Sequence, residues 1–209
     1  MEPLSYLPQI YCDLDGVLVE FANPVLERIN QCLSGVTKVS ERTQKTIDKI
    51  KAQGIQSVDI SHIIPGPAGQ IETRNKGVTS LMFYVIKEDV DFWSHLQFAN
   101  GGQELWNYLS KLYTIILSAP TDEASIQGKN NWVKKNLKPY PAGVITEKEK
   151  YKYALDELKR PCILIDDFEK NIGPWRDAGG IGILHKTGDT ATTIGQLEKL
   201  LSNIEKEKL

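Results

Sequence analysis

The sequence predicts an α/β fold: a Rossmann-like parallel sheet flanked by helices, with a mainly helical cap inserted after the first strand motif. Three observations predict it. From Gln103 onward, short apolar runs alternate with amphipathic segments of about ten residues, the rhythm of βαβ units. A further apolar run stands apart near the N-terminus, followed by a long helix-rich interruption. Several of the apolar runs also end in polar residues, and ligands gather where the strands of an open parallel sheet stop.

In chain order, Ile10–Leu14 reads as a short buried strand, and "GVLVEF" leads into a helix continued by "NPVLERINQCL". There Val25, Leu26, Ile29 and Leu33 fall at helical spacing. The Asn23-Pro24 pair marks a break or a fresh helix start, and Gly35 a stop. Ser40–Ala52 reads as a polar helix with a serine cap and a following glycine. "IIPGPAGQ" (Ile63–Gln70) is a loop, and the segment from there to about Val90 takes no clear assignment. Next come the helix "QELWNYLSKL", the strand "YTIILSAP" and the helix "EASIQGKNNWVKKNL". "AGVIT" is a strand, "KYKYALDELK" a helix, "PCILIDD" a strand, and "GGIGILH" the last strand. The chain closes on a helix with Ile194, Leu197, Leu201 and Ile204 on one face. Residues 1–22 and 99–209 therefore form the expected core, and 23–98 the cap.

Composition narrows the function classes. The 209 residues are 41% hydrophobic and 25% charged, with a formal charge of −2. Such a balance gives no electrostatic footprint for duplex nucleic acid, though a local pocket for a small anion is compatible with it. The apolar runs are too short to span a bilayer, and "MEPLSYLPQI" lacks the pattern of a secretion signal. The three cysteines (Cys12, Cys32 and Cys162) lack metal-ligand spacing, so a reducing, cytoplasmic setting is expected. His62, His95 and His185 show no ligand spacing either and read as structural or surface.

The chemistry concentrates at strand ends. The first strand ends in Asp13-Leu14-Asp15-Gly16, "TIIL" ends in Ser118-Ala119-Pro120, and "CILI" ends in Asp166-Asp167. Taken singly, each has an ordinary reading: a chance Asp-x-Asp, a helix-capping serine, an acidic turn. Together, carboxylates from neighbouring strand ends face one small volume. Like charges so placed raise one another's pKa unless a cation neutralises them, and an all-oxygen set suits Mg²⁺. Gly16 suits a turn where backbone approaches a ligand closely.

That ordered set resembles the haloacid dehalogenase (HAD) superfamily of phosphohydrolases over Ile10–Asp167. "DLDGVL" is similar to its first motif, "LSAP" to its second, a lysine of "TEKEKYKYA" to its third and "ILIDD" to its fourth. Within it, "DLDGVLVEF", "DFWSHL" and "KNNWVKKNL" resemble the 5'(3')-deoxyribonucleotidase group. The resemblance implies Asp13 as nucleophile and Asp15 as general acid and base. It implies Ser118 and the Ala119 N–H as phosphate-binding groups, with Gly16 beside them. Either Lys150 or Lys148 would be the motif-three cation, Lys150 being favoured because it opens the following helix. Mg²⁺ would be held by Asp13, Asp15 through its carbonyl and Asp166, with Asp167 a further ligand or a partner just outside the ligand set. The substrate would be a small phosphate ester of nucleotide type, with Phe21 either bordering its base or packing in the core at the first helix. Phe92 and Trp93, where the cap rejoins the core, either stack on a base or pack as a hinge. The same chemistry on a nucleic-acid terminal phosphate or a sugar phosphate, and a non-catalytic nucleotide-binding module, are the alternatives. Lys129, Lys134 and Lys135 read as a solvated helix face, and Asn171 and Trp175 as fixing the loop after motif four. The chain departs from the group at Ala119, at Glu147 and Glu149, and at Phe168, where the group carries a hydroxyl residue, an arginine and an arginine.

Overall fold

The computed structural model describes residues 7–59, 61 and 75–206. Five short parallel strands form one sheet in the order β3-β2-β1-β4-β5. They are β1 (Ile10–Cys12), β2 (Ile115–Ser118), β3 (Gly143–Thr146), β4 (Ile163–Asp166) and β5 (Ile181–Leu184). Cys12 pairs with Ile116 on one side and Ile165 on the other, so β1 lies at the centre. Both β1 and β4 are buried at every residue, as expected where helices cover both faces of a parallel sheet. Because the chain runs outward from β1 in two directions, the carboxyl ends of β1, β2 and β4 surround the switch point.

Between β1 and β2 come α1 (Ala22–Leu33), α2 (Glu41–Ala52), α3 (Lys76–Ile86), α4 (Val90–Ser94) and α5 (Gly102–Leu109). After β2 comes α6 (Glu123–Asn136); α7 (Glu169–Asp177) follows β4, and α8 (Thr190–Lys206) follows β5. Helix α1 carries Asn23-Pro24 in its first turn, with the Asn23 N–H donating to Glu20 at 3.1 Å, and it buries Val25, Leu26, Ile29 and Leu33 as its spacing predicts. Ser40 caps α2, its hydroxyl accepting from the Thr43 N–H at 3.2 Å. The apolar faces of α1, α2 and α3 pack on one another and join the sheet residues in one contiguous hydrophobic cluster. The expected loop Ile63–Gln70 and His62 lie outside the described residues.

Two local expectations are corrected. "GVLVEF" does not enter the helix directly. The N–H groups of Val17, Leu18 and Val19 all turn back to the Leu14 carbonyl, and Val19 then bridges to Phe98. "KYKYALDELK" forms only a 3₁₀ turn, Lys150–Tyr153. Asp156 ends it: its Oδ1 accepts from the N–H groups of Leu158 and Arg160, both at 2.9 Å, and this local turn outcompetes the helix.

Candidate active site

Asp13 and Asp15 sit at the point where β1 stops, and they face different cations. The Asp13 N–H still donates to Ile165 of β4 at 2.9 Å, which fixes the residue at the strand end. Its side chain is buried; Oδ1 accepts from the Leu14 N–H at 2.7 Å and Oδ2 pairs with Lys150 Nζ at 2.9 Å. The same ammonium lies 2.6 Å from Asp166 Oδ2. Burial opposes the charge of Lys150, and Asp13 and Asp166 more than offset this, so its pKa is raised. Lys150 is 2% exposed because the 3₁₀ turn it opens points the side chain inward, whereas Lys148 is exposed on the preceding loop. Of the two motif-three candidates, Lys148 is therefore placed away from the carboxylates.

Asp166 is fully buried and heavily donated to. Besides Lys150, its Oδ1 accepts from the Phe168 N–H at 2.9 Å, and Asn171 Nδ2 reaches both oxygens at 3.1 and 3.0 Å. Burial first, then the charge of Asp13, still raises its pKa to about 6. Asp167 lies open to solvent, yet the protein packed around it and the charges of Asp166 and Asp13 push its carboxyl well above the usual range. Ligand oxygens of Asp13, Asp166 and Asp167 all lie within 4.8 Å of one another. Three hard oxygen donors at that spacing, two of them resisting ionisation without a further positive charge, fit a small divalent cation such as Mg²⁺. The Asp15 carboxylate is not part of this cluster.

Gly16 has φ +77, and a Cβ built on it would overlap the Asp167 carboxylate. Its missing side chain therefore makes room for an acid of the cluster, a reason more specific than a turn near a ligand. The Gly16 carbonyl accepts from Thr187 at 2.7 Å, which ties the turn to the loop after β5.

Ser118, buried at the end of β2, belongs to the second carboxylate. Lys129 Nζ donates to Ser118 Oγ at 3.0 Å, to the Ala119 carbonyl at 2.7 Å and to Asp15 Oδ2 at 2.8 Å. The reading of Lys129 as solvated surface is overturned: it is 2% exposed. The pattern carried a signal, because Lys129 shares the inward stripe of α6 with Ser125, Gly128, Trp132 and Val133. Lys134 and Lys135 are exposed on the opposite side. Burial raises the Asp15 pKa; Lys129 opposes the rise and Asp13 adds to it.

The three aromatic residues form one cluster, with Phe21 stacked on Trp93 at 5.4 Å between centroids and Phe92 edge-on to both. Phe92 and Trp93 are buried, with the Trp93 indole N–H donating to Ile86, so neither offers a face to a substrate; Phe21 alone keeps exposed surface. Of the two readings of Phe92 and Trp93, packing where the cap meets the core is the one observed. Burial follows from the close approach of α4 and α6, where Gly128 lies against Trp93 and Val90. Asn171 was expected to fix the loop after motif four, and it does so through Asp166; Trp175 donates to the Cys162 carbonyl at 3.2 Å. His95 is exposed and His185 buried against Thr193. A cleft of about 760 Å³ opens between α2, α3 and Thr121-Asp122, and none of the site carboxylates lines it.

No protein-family model matches the sequence, and no curated protein sequence matches it. Solved structures do. A haloacid dehalogenase-like hydrolase from Xanthomonas campestris matches with a TM-score of 0.54 at 14% identity, over 96% of this chain and 94% of that one. The chain has a HAD-like fold. A hydrolase from Streptococcus pneumoniae matches at 14% identity over 95% and 100% of the chains, TM-score 0.48. A HAD hydrolase from Bacillus subtilis bound to magnesium matches at 12% identity over 84% and 86%, TM-score 0.45. Of these three, only the first superposes closely enough to support the fold. On a HAD-like sheet the Asp13, Ser118 and Asp166 positions are the carboxyl ends of the three central strands, where the side chains described above meet.

Proposed function

We propose that this chain is a cytoplasmic, Mg²⁺-dependent phosphomonoesterase that works through an aspartyl-phosphate, with nucleoside 5'- or 3'-monophosphates as its substrates. The observation that carries the reading is the convergence of Asp13, Asp15, Ser118, Lys150 and Asp166 on one strand-end site, each carboxylate held by a buried lysine. A pure binding module needs no second carboxylate beside the first.

In the first step an Asp13 oxygen attacks phosphorus and the bond to the ester oxygen breaks, while Asp15 gives that oxygen a proton. In the second, water attacks the same phosphorus as Asp15 takes its proton; the bond to Asp13 breaks and phosphate leaves. Ser118 and the Ala119 N–H hold phosphoryl oxygens, and Lys150 offsets the charge that grows on them. Asp13, Asp166, Asp167 and the Asp15 carbonyl would hold Mg²⁺, which would supply positive charge to offset that of the phosphoryl group. The nucleotide part of the reading rests on the resemblance of "DLDGVLVEF" and on half-buried Phe21, which stacks on Trp93, the ring that faces Lys129.

The test is a panel of phosphomonoesters with and without Mg²⁺. Metal-dependent phosphate release, faster from deoxynucleotides than from sugar phosphates, is the expected result. Release from sugar phosphates alone would replace the substrate, and no release from any ester would remove the activity. Asp13→Asn is expected to abolish turnover with an unchanged melting curve; retained turnover would move the nucleophile elsewhere.

A further inference from the structure

Lys129 is a charged side chain on the buried face of a helix, a position that a leucine or methionine fills at lower energetic cost. An ammonium group has three N–H donors, and all three are used: on Asp15 Oδ2, Ser118 Oγ and the Ala119 carbonyl. The Trp93 ring, 4.9 Å from Nζ, closes its remaining side. Two of the three acceptors are side chains that the proposed reaction uses, and none belongs to the hydrophobic scaffold.

Resting on the phosphatase reading, we propose that Lys129 is a positioning residue that decides which atoms of Asp15 and Ser118 face the substrate. A hydroxyl has one proton and two lone pairs. With a lone pair of Ser118 taken by the ammonium, its proton is left to donate to a phosphoryl oxygen. Oδ2 of Asp15 accepts from the ammonium, whereas Oδ1 carries no hydrogen bond among the described residues. In the acid form of Asp15 the proton therefore sits on Oδ1, the oxygen available to the leaving group. Among the described residues the ion pairs of Lys150 go to Asp13 and Asp166, and its charge reaches Asp15 only as the weakest of the influences on that carboxyl. The two buried lysines therefore divide the work, one serving the nucleophile and the other the acid.

The division is testable through the leaving group. A p-nitrophenolate leaves without a proton, whereas an alkoxide needs one. With Mg²⁺ present, kcat/KM is compared for p-nitrophenyl phosphate and an alkyl phosphate such as a nucleoside 5'-monophosphate, in wild type and Lys129→Met. Because kcat/KM covers steps up to ester cleavage, any general loss of phosphate binding falls on both substrates and cancels in their ratio. The expected result is a loss on the alkyl ester on the order of a hundredfold greater than on the aryl ester, the scale of a displaced general acid. Lys129→Gln, whose amide keeps two N–H donors but no charge, is expected to recover part of that difference, and it replaces the methionine variant if that variant fails to melt cooperatively. Equal losses on the two esters, or no loss on either, would overturn the role. Wild-type protein that cleaves neither ester would overturn the phosphatase reading itself, a result distinct from equal losses in the variant.

Discussion

Asp13 and Asp15 are two residues apart, yet one pairs with Lys150 and the other with Lys129. The turn between them makes this possible, and Gly16 makes the turn possible. Its φ of +77 disfavours any side chain by about 1–2 kcal/mol, and the Asp167 carboxylate fills the space a Cβ would take. Gly16→Ala is therefore expected to push Asp167 out of the acidic cluster while the sheet survives. The Mg²⁺ concentration for half-maximal activity should rise on the order of tenfold, the usual scale for disturbing a metal's surroundings. A magnesium titration of both proteins checks this, and an unchanged midpoint would mean that Asp167 takes no part in holding the ion. At this scale the strand-end residues were legible as a set: each alone has an ordinary reading, but carboxylates and a serine close three apolar runs in one order. Lys129 was not, since a lysine among "GKNNWVKKNL" looks like its exposed neighbours until the inward stripe of α6 is traced through Trp132 and Val133.

Among the elements, the five strands and most helices follow from apolar periodicity, and the failures have local causes. The segment after Lys150 has helical composition, yet the hydrogen bonds of Asp156 to the Leu158 and Arg160 N–H groups close a turn first. Helix α3 was unreadable because its apolar residues, "LMFYVI", run together without a polar face. The burial of Phe92 and Trp93 was equally hidden, for it depends on how closely α4 approaches α6. That approach passes over Gly128, where a methyl group would press on the Trp93 Cβ and, at 2.7 Å, on the Val90 carbonyl. Gly128→Ala gains helix propensity, about 1 kcal/mol, but the overpacking costs about 1–3 kcal/mol. A net loss of stability is expected in urea unfolding, and a gain would show that α4 yields without strain. Lys129 is the next residue, so the same contact also sets the depth of its ammonium.

Over the whole molecule, the site gathers Asp13, Asp15, Asp166 and Asp167 against Lys129 and Lys150, an excess of negative charge that a divalent cation removes. Among the described residues no helix is long and apolar enough to cross a membrane, and all three thiols are free and buried. Stability should then depend on pH and metal together. Asp166 has a folded pKa of about 6 against an ordinary 3.8, so between those values the folded state holds more protons than the unfolded one. By linkage its contribution to stability grows as pH falls through 6 and weakens as pH rises. His185 works in the opposite direction: burial lowers its pKa, with Asp189 resisting, and its Nε2 lacks a hydrogen-bond partner among the described residues. The unfolded histidine charges more readily, so its contribution is complete above about 6.5 and is lost as pH falls below that value. Bound Mg²⁺ holds the acidic cluster ionised and removes the Asp166 component, leaving that of His185. Melting temperatures measured from pH 4 to 8 should therefore fall more steeply on acidification with saturating Mg²⁺ than without it. The increment from the metal should be largest at neutral pH and vanish near pH 4, where protons displace the ion. An increment of the same size at both ends of the range would show that Mg²⁺ binds somewhere other than the Asp13, Asp166 and Asp167 cluster.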